Sequence, residues 1–145
     1  MSDPIAAVQA ALLGARKAQD KDRTLVLGTV LSALRNRVLE LGRDLTEPDA
    51  AEVLRKGVKQ RKEAAEQFEK AGRAELLAVE LAQIKVIEEF LPADVDPEEI
   101  RAAVRAAVAS GAADVGGVMK EIMPRFKGRA DGKVINQIVR EELAR

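Results

Sequence analysis

The 145-residue sequence contains no cysteine and no histidine. Without cysteine there is no disulfide, no thiol nucleophile and no thiolate metal site. Without histidine the commonest metal ligand and general base is missing. Serine occurs only as Ser2, Ser32 and Ser110, and neither a Ser–His–Asp nor a Cys–His arrangement can be built within this chain. Tryptophan and tyrosine are absent and phenylalanine occurs three times, so stacking of bases on aromatic rings is nearly ruled out. No secretory leader pattern is present and no apolar run is long enough to span a membrane, which sets the expectation of a soluble cytoplasmic protein. No metal, no cofactor and no catalytic residue is expected. Excess charge of either sign is also lacking, with 24 acidic and 24 basic side chains. The molecule as a whole is therefore not an attractor for nucleic acid, no DNA partner is expected, and any steering must come from local asymmetry.

That asymmetry lies in the last third. Residues 93–114 carry two basic and five acidic side chains, whereas residues 115–145 carry seven basic and four acidic ones. The apolar pattern is helical almost throughout, and the fold class expected is all-α. Asp3 and Pro4 open a first helix with Ile5, Val8, Leu12 and Ala15 inward, and the polar run 19–23 breaks it. Leu27, Leu31, Leu34, Val38 and Leu41 alternate steps of four and three along a second helix, closed by Gly42. Thr46 and Asp49 form a capping box for a long third helix that runs to about Ala71, with Val53, Leu54, Val58, Ala65 and Phe68 as its thin apolar face. Gly57 inside it is read as a place of close helix approach. Leu77, Ile84, Ile87 and Leu91 line a fourth helix, ended by Leu91-Pro92. After the linker 92–97, Ile100, Val104 and Val108 mark a fifth. Two domains are expected: a four-helix bundle over 1–92 and a compact three-helix tail over 93–145.

The stretch 117–133 is the one most suited to a partner. Val118, Met119 and Ile122 form an apolar stripe at helical spacing, and Pro124 is expected to end that helix at Met123. Gly128 permits a turn, and Asp131 caps a last helix whose apolar face is Val134, Ile135, Ile138 and Val139. Lys120, Arg125, Lys127, Arg129 and Lys133 surround the turn against only Glu121 and Asp131. A basic turn between packed helices suits a phosphate-rich partner, and an ordinary solvated loop has the same pattern.

The ordered set of Lys21-Asp-Arg23, Leu45-Thr46, Val58-Lys-Gln-Arg-Lys62, Phe68-Glu-Lys-Ala-Gly-Arg73, Phe90-Leu-Pro92 and the block from Gly116 through Val139 resembles the YqeY family. That family shares a domain with the C-terminal tail of GatB, a subunit of the glutamine-dependent aminoacyl-tRNA amidotransferase. The resemblance covers nearly the whole chain. It implies a helical bundle followed by a three-helix tail, and it implies a link to tRNA or to the amidotransferase. Family labels also describe carbon–nitrogen ligases with glutamine as amide donor, a chemistry for which these residues offer no nucleophile and base. Gly117 stands where the family pattern commonly has lysine, one positive charge fewer.

Two readings follow. In the first, a non-catalytic module binds tRNA or another RNA. Lys120, Arg125, Lys127, Arg129 and Lys133 would contact phosphates, and Asn136 and Gln137 would read base edges or sugars. In the second, a protein-interaction adaptor presents Arg55, Lys56, Lys59, Arg61 and Lys62 of the third helix to an acidic protein surface.

Overall fold

The computed structural model describes residues 3–92 and 94–145; Ser2 and position 93 of the expected linker lie outside the described residues. Seven helices are present among the described residues and no strand: α1 (Pro4–Lys17), α2 (Lys21–Leu41), α3 (Glu47–Lys70), α4 (Ala74–Glu88), α5 (Pro97–Ala109), α6 (Val115–Phe126) and α7 (Gly132–Leu143). They divide into two compact units, Met1–Leu91 and Pro92–Arg145.

The first unit is built on short connections. Asp3 accepts a hydrogen bond from the Ile5 amide and opens α1 with Pro4 in its first turn. The polar run breaks the helix over a shorter stretch than expected. Asp20 accepts from the Arg23 amide and already caps α2, so residues 21–23 are helical and only 18–20 turn. A side-chain acceptor placed three residues before a free amide converts a polar run into a helix start. α1 packs on α2, α3 packs along α4, and α2 reaches both α3 and α4. The shared core takes Val8 and Leu12, then Val26, Leu27, Val30, Leu31 and Leu34, then Leu54 and Val58, and finally Ile84 and Ile87. Val38 and Leu41, expected in the second helix's stripe, are only half-buried, while Val26 and Val30 are inside.

At the start of α3 the expected capping box is present. The Thr46 hydroxyl accepts from the Asp49 amide at 3.3 Å, and the Asp49 carboxylate accepts from the Thr46 amide at 3.0 Å. Asp49 is also the most deeply buried charged residue among the described residues, 2% exposed, and Arg43 Nη1 donates to it at 2.6 Å. Those bonds to Arg43 and Thr46 hold the carboxyl well below the usual carboxylate range. A second ion pair, Arg23 Nη1 to Glu89 Oε2 at 2.6 Å, joins the start of α2 to the end of α4.

A further boundary and one glycine differ from expectation. α4 ends at Glu88, not at Leu91-Pro92, because the amides of Glu89, Phe90 and Leu91 bond to carbonyls three residues back. This tightening is common in a final turn. Gly57 does not mark an approach that only glycine permits: a Cβ there would sit 3.5 Å from Arg61 Nη1 and 3.8 Å from Ile87 Cδ1, ordinary contacts.

In the second unit α5, α6 and α7 all pack on one another around Ile100, Val104, Val118, Ile122, Phe126, Ile135, Ile138 and Val139. Asp96 caps α5, Asp114 caps α6 and Asp131 caps α7. Val108 and Val134, expected inward, are 42% and 45% exposed. On α5 the inward places are held by Ala103 and Ala107 with Ile100 and Val104, and on α7 by Ile135, Ile138 and Val139. Pro124 does not end α6, which continues through it to Phe126. Pro124 stands on the exposed side, where water replaces the donor it lacks. Ile122 and Phe126, four residues apart and fully buried, keep the last turn on the core. Burial of a phenylalanine side chain stabilises by about 1.5–3 kcal/mol.

Candidate nucleic-acid interface

The turn between α6 and α7 is wound around the end of Phe126. Its carbonyl accepts from the amides of Arg129 at 2.9 Å and Ala130 at 3.1 Å. Lys127 is extended and Gly128 has φ 76°, a left-handed conformation that a side chain resists. Asp131 then accepts from the Lys133 amide at 2.9 Å and starts α7. A local signal, glycine followed by a capping aspartate, thus aims Lys127, Arg129 and Lys133 outward, and all three are exposed.

The five basic side chains read from the sequence are not equivalent. Lys120, Arg125, Lys127, Arg129 and Lys133 are exposed. The Arg129 guanidinium reaches Glu99 of α5 at 3.6 Å, so part of its charge is offset within the unit. Arg125 lies over the Phe126 ring, 5.6 Å from its centroid, an arrangement that fixes the guanidinium without neutralising it. Lys120 and Lys133 form no ion pair among the described residues.

Along α7 a shallow open groove of about 500 Å³ is lined by Met119, Lys133, Asn136, Gln137, Arg140 and Glu141. It unites three of the residues singled out by sequence, Lys133, Asn136 and Gln137. Lys120, Arg125, Lys127 and Arg129 are not among its walls. It also adds one that sequence reasoning missed: Arg140, four residues after Asn136 and seven after Lys133, on the same face of the helix. Arg140 Nε donates to Asn136 Oδ1 at 2.7 Å, which orients the guanidinium and leaves its Nη groups outward. Gln137 Nε2 donates to Glu141 Oε1 at 3.1 Å. The groove thus presents two cations with two carboxamides between them and one carboxylate, Glu141, at the Gln137 side; the cation–carboxamide set fits phosphates flanking a polar edge. Asp131 at the helix start works against an anion there.

In the alternative basic set on α3, Arg61 departs from the other four. Arg55, Lys59 and Lys62, at i, i+4 and i+7, share a stripe with Lys56 beside it; Lys56, Lys59 and Lys62 are exposed and Arg55 is half-buried. Arg61 turns to α4, with Nε donating to Gln83 Oε1 at 3.0 Å and Nη1 to the Gly57 carbonyl at 3.3 Å. Further along, Glu66 pairs with Lys70 at 3.4 Å. Among the described residues no three acidic side chains gather as a metal site, and no helix is long and apolar enough to cross a membrane.

A sequence model of the Yqey-like protein family matches residues 6–143. An uncharacterized protein of Schizosaccharomyces pombe is 36% identical over 87 residues, which span 60% of this chain and 71% of that relative.

Proposed function

The chain belongs to the Yqey-like protein family, and on that premise we propose that it is a non-catalytic RNA-binding module whose contact face is the outer side of α7 and the basic turn before it. The observation that carries this reading is the groove in which Lys133 and Arg140 flank Asn136 and Gln137. Arg140 spends only its Nε on Asn136, and Lys133 is unpaired among the described residues. Lysine and arginine supply the salt-dependent phosphate attraction, and the carboxamides supply hydrogen bonds to sugars or base edges. Lys120, Arg125, Lys127 and Arg129 extend the positive field around it. With one phenylalanine buried beneath the turn and no tryptophan or tyrosine, the contact is to backbone and shape and not to splayed, stacked bases. A folded RNA such as tRNA fits that requirement, and an amidotransferase acting on tRNA is the partner complex this reading favours.

The discriminating experiment is a gel shift of the purified chain with folded tRNA, competed by heparin. Retention of the tRNA complex at heparin charge equivalence supports the proposal; displacement at equal charge reduces it to generic polyanion binding. The exposed stripe of Lys56, Lys59 and Lys62 on α3 carries a second reading, an adaptor for an acidic protein surface. Co-purification of a protein partner lost on charge reversal at Lys59 and Lys62 would favour that reading.

A further inference from the structure

In the first unit, α2 and α3 leave a cleft of about 490 Å³ between them, within the size range of small-molecule sites. Val30, Leu54 and Ile87, all buried, give it an apolar base. Gly57 leaves one turn of the α3 wall without a side chain, and the carboxamides of Asn36 and Gln60 stand on the opposing walls.

The informative group is Arg61. It is half-buried, and its two hydrogen bonds go to neutral acceptors, Gln83 Oε1 and the Gly57 carbonyl. No carboxylate pairs with it among the described residues, and neither bond uses Nη2. A guanidinium fixed by neutral partners at a cleft wall keeps both its charge and part of its donor fork for a ligand. Its immobilisation is already complete before binding. Lys56 lines the same cleft, exposed and without an ion pair among the described residues. The acidic walls do not cancel this end. Glu40 is taken by Arg37 at 2.9 Å, and Glu52, though one turn from Lys56, precedes Arg61 by nine residues of α3, about 14 Å along the axis, so the charge that remains for a ligand is chiefly that of Arg61.

We propose that this cleft binds a small organic anion, a carboxylate or phosphate on an apolar or planar body. The charge rests on Arg61 with Lys56 beside it, the body lies on the accessible apolar lining of Ala33 and Val53 above buried Val30, Leu54 and Ile87, and the amides of Asn36 and Gln60 bond its polar edge. This site is separate from the α7 face and does not rest on RNA binding.

The test is a nuclear magnetic resonance titration of the ¹⁵N-labelled full chain with two probes, adenosine monophosphate and N-acetyl-leucine. Saturable shifts confined to residues 56–61 and the side-chain amides of Asn36 and Gln60 are expected from at least one. A response to the first alone identifies a phosphate ligand, and to the second alone a carboxylate. Arg61→Gln should weaken binding about tenfold or more by removing a charge-assisted contact, and Lys56→Glu should weaken it as well. Should Arg61→Gln fail to fold, the exposed Lys56→Glu variant carries the test. No saturable shift from either probe in the millimolar range overturns the proposal, as does unchanged affinity in the folded variants.

Discussion

Asp49 shows how one side chain is fixed by several demands at once. It is buried, it closes the cap on α3 and it receives Arg43. Asp49→Ala is expected to lower stability by about 2 kcal/mol, combining a lost cap with a lost charge-assisted bond, read as a drop in melting temperature. Its lowered pKa gives a sign for pH. A carboxyl held below its unfolded value stabilises the fold above the unfolded value near 3.9 and loses that contribution as pH falls through the native one. Melting temperatures of the parent and Asp49→Asn should therefore differ from neutral pH down to about 4 and converge below it. Convergence already at pH 6 would contradict the assignment. In the second unit, Lys127→Ala with Arg129→Ala should leave the fold intact. Exposed substitutions change stability by less than about 0.5 kcal/mol, and the open Arg129–Glu99 pair is worth about 0–1 kcal/mol.

Helix starts were the most legible elements. Asp3, Thr46 and Asp131 each cap the helix read from sequence, because a cap is satisfied within three residues and needs no tertiary partner. What sequence could not give depends on packing between helices. Ala103 and Ala107 are buried while Val108 and Val134 are exposed; which residues face inward was settled by how closely the helices approach. Pro124 has the sequence signature of a terminator, yet buried Phe126 carries α6 past it. In the candidate site Lys133 is legible as part of the basic turn and Asn136 and Gln137 as polar positions of the last helix, whereas Arg140 acquires meaning only from its bond to Asn136 across one helical turn. The Arg61–Gln83 bond spans 22 residues and left no local signal. Gly57 supplies a prediction at this scale. Helical glycine costs about 0.5–1 kcal/mol relative to alanine, and a Cβ there meets only ordinary contacts. Gly57→Ala should therefore raise the melting temperature, and a fall would show that the α3–α4 packing does not admit the methyl group.

At the scale of the whole molecule, two helical units share one chain of balanced charge, and the basic excess is confined to the end of the second. Residues 92 and 94–96 lie outside any helix. Limited proteolysis should cut there before it cuts within either unit, releasing fragments whose masses place the site. A first cut inside α3 or α6 would contradict this division. The central claim is that the outer face of α7 holds RNA through its phosphates. It is tested most directly by the salt dependence of tRNA affinity in the parent chain, in Lys133→Ala with Arg140→Ala, and in Lys127→Ala with Arg129→Ala, with melting temperatures measured in parallel. The account predicts that loss of Lys133 and Arg140 weakens binding most and flattens the slope of log affinity against log salt by roughly 1.5, two phosphate contacts' worth. Unchanged affinity and slope in a folded Lys133→Ala, Arg140→Ala variant would contradict it.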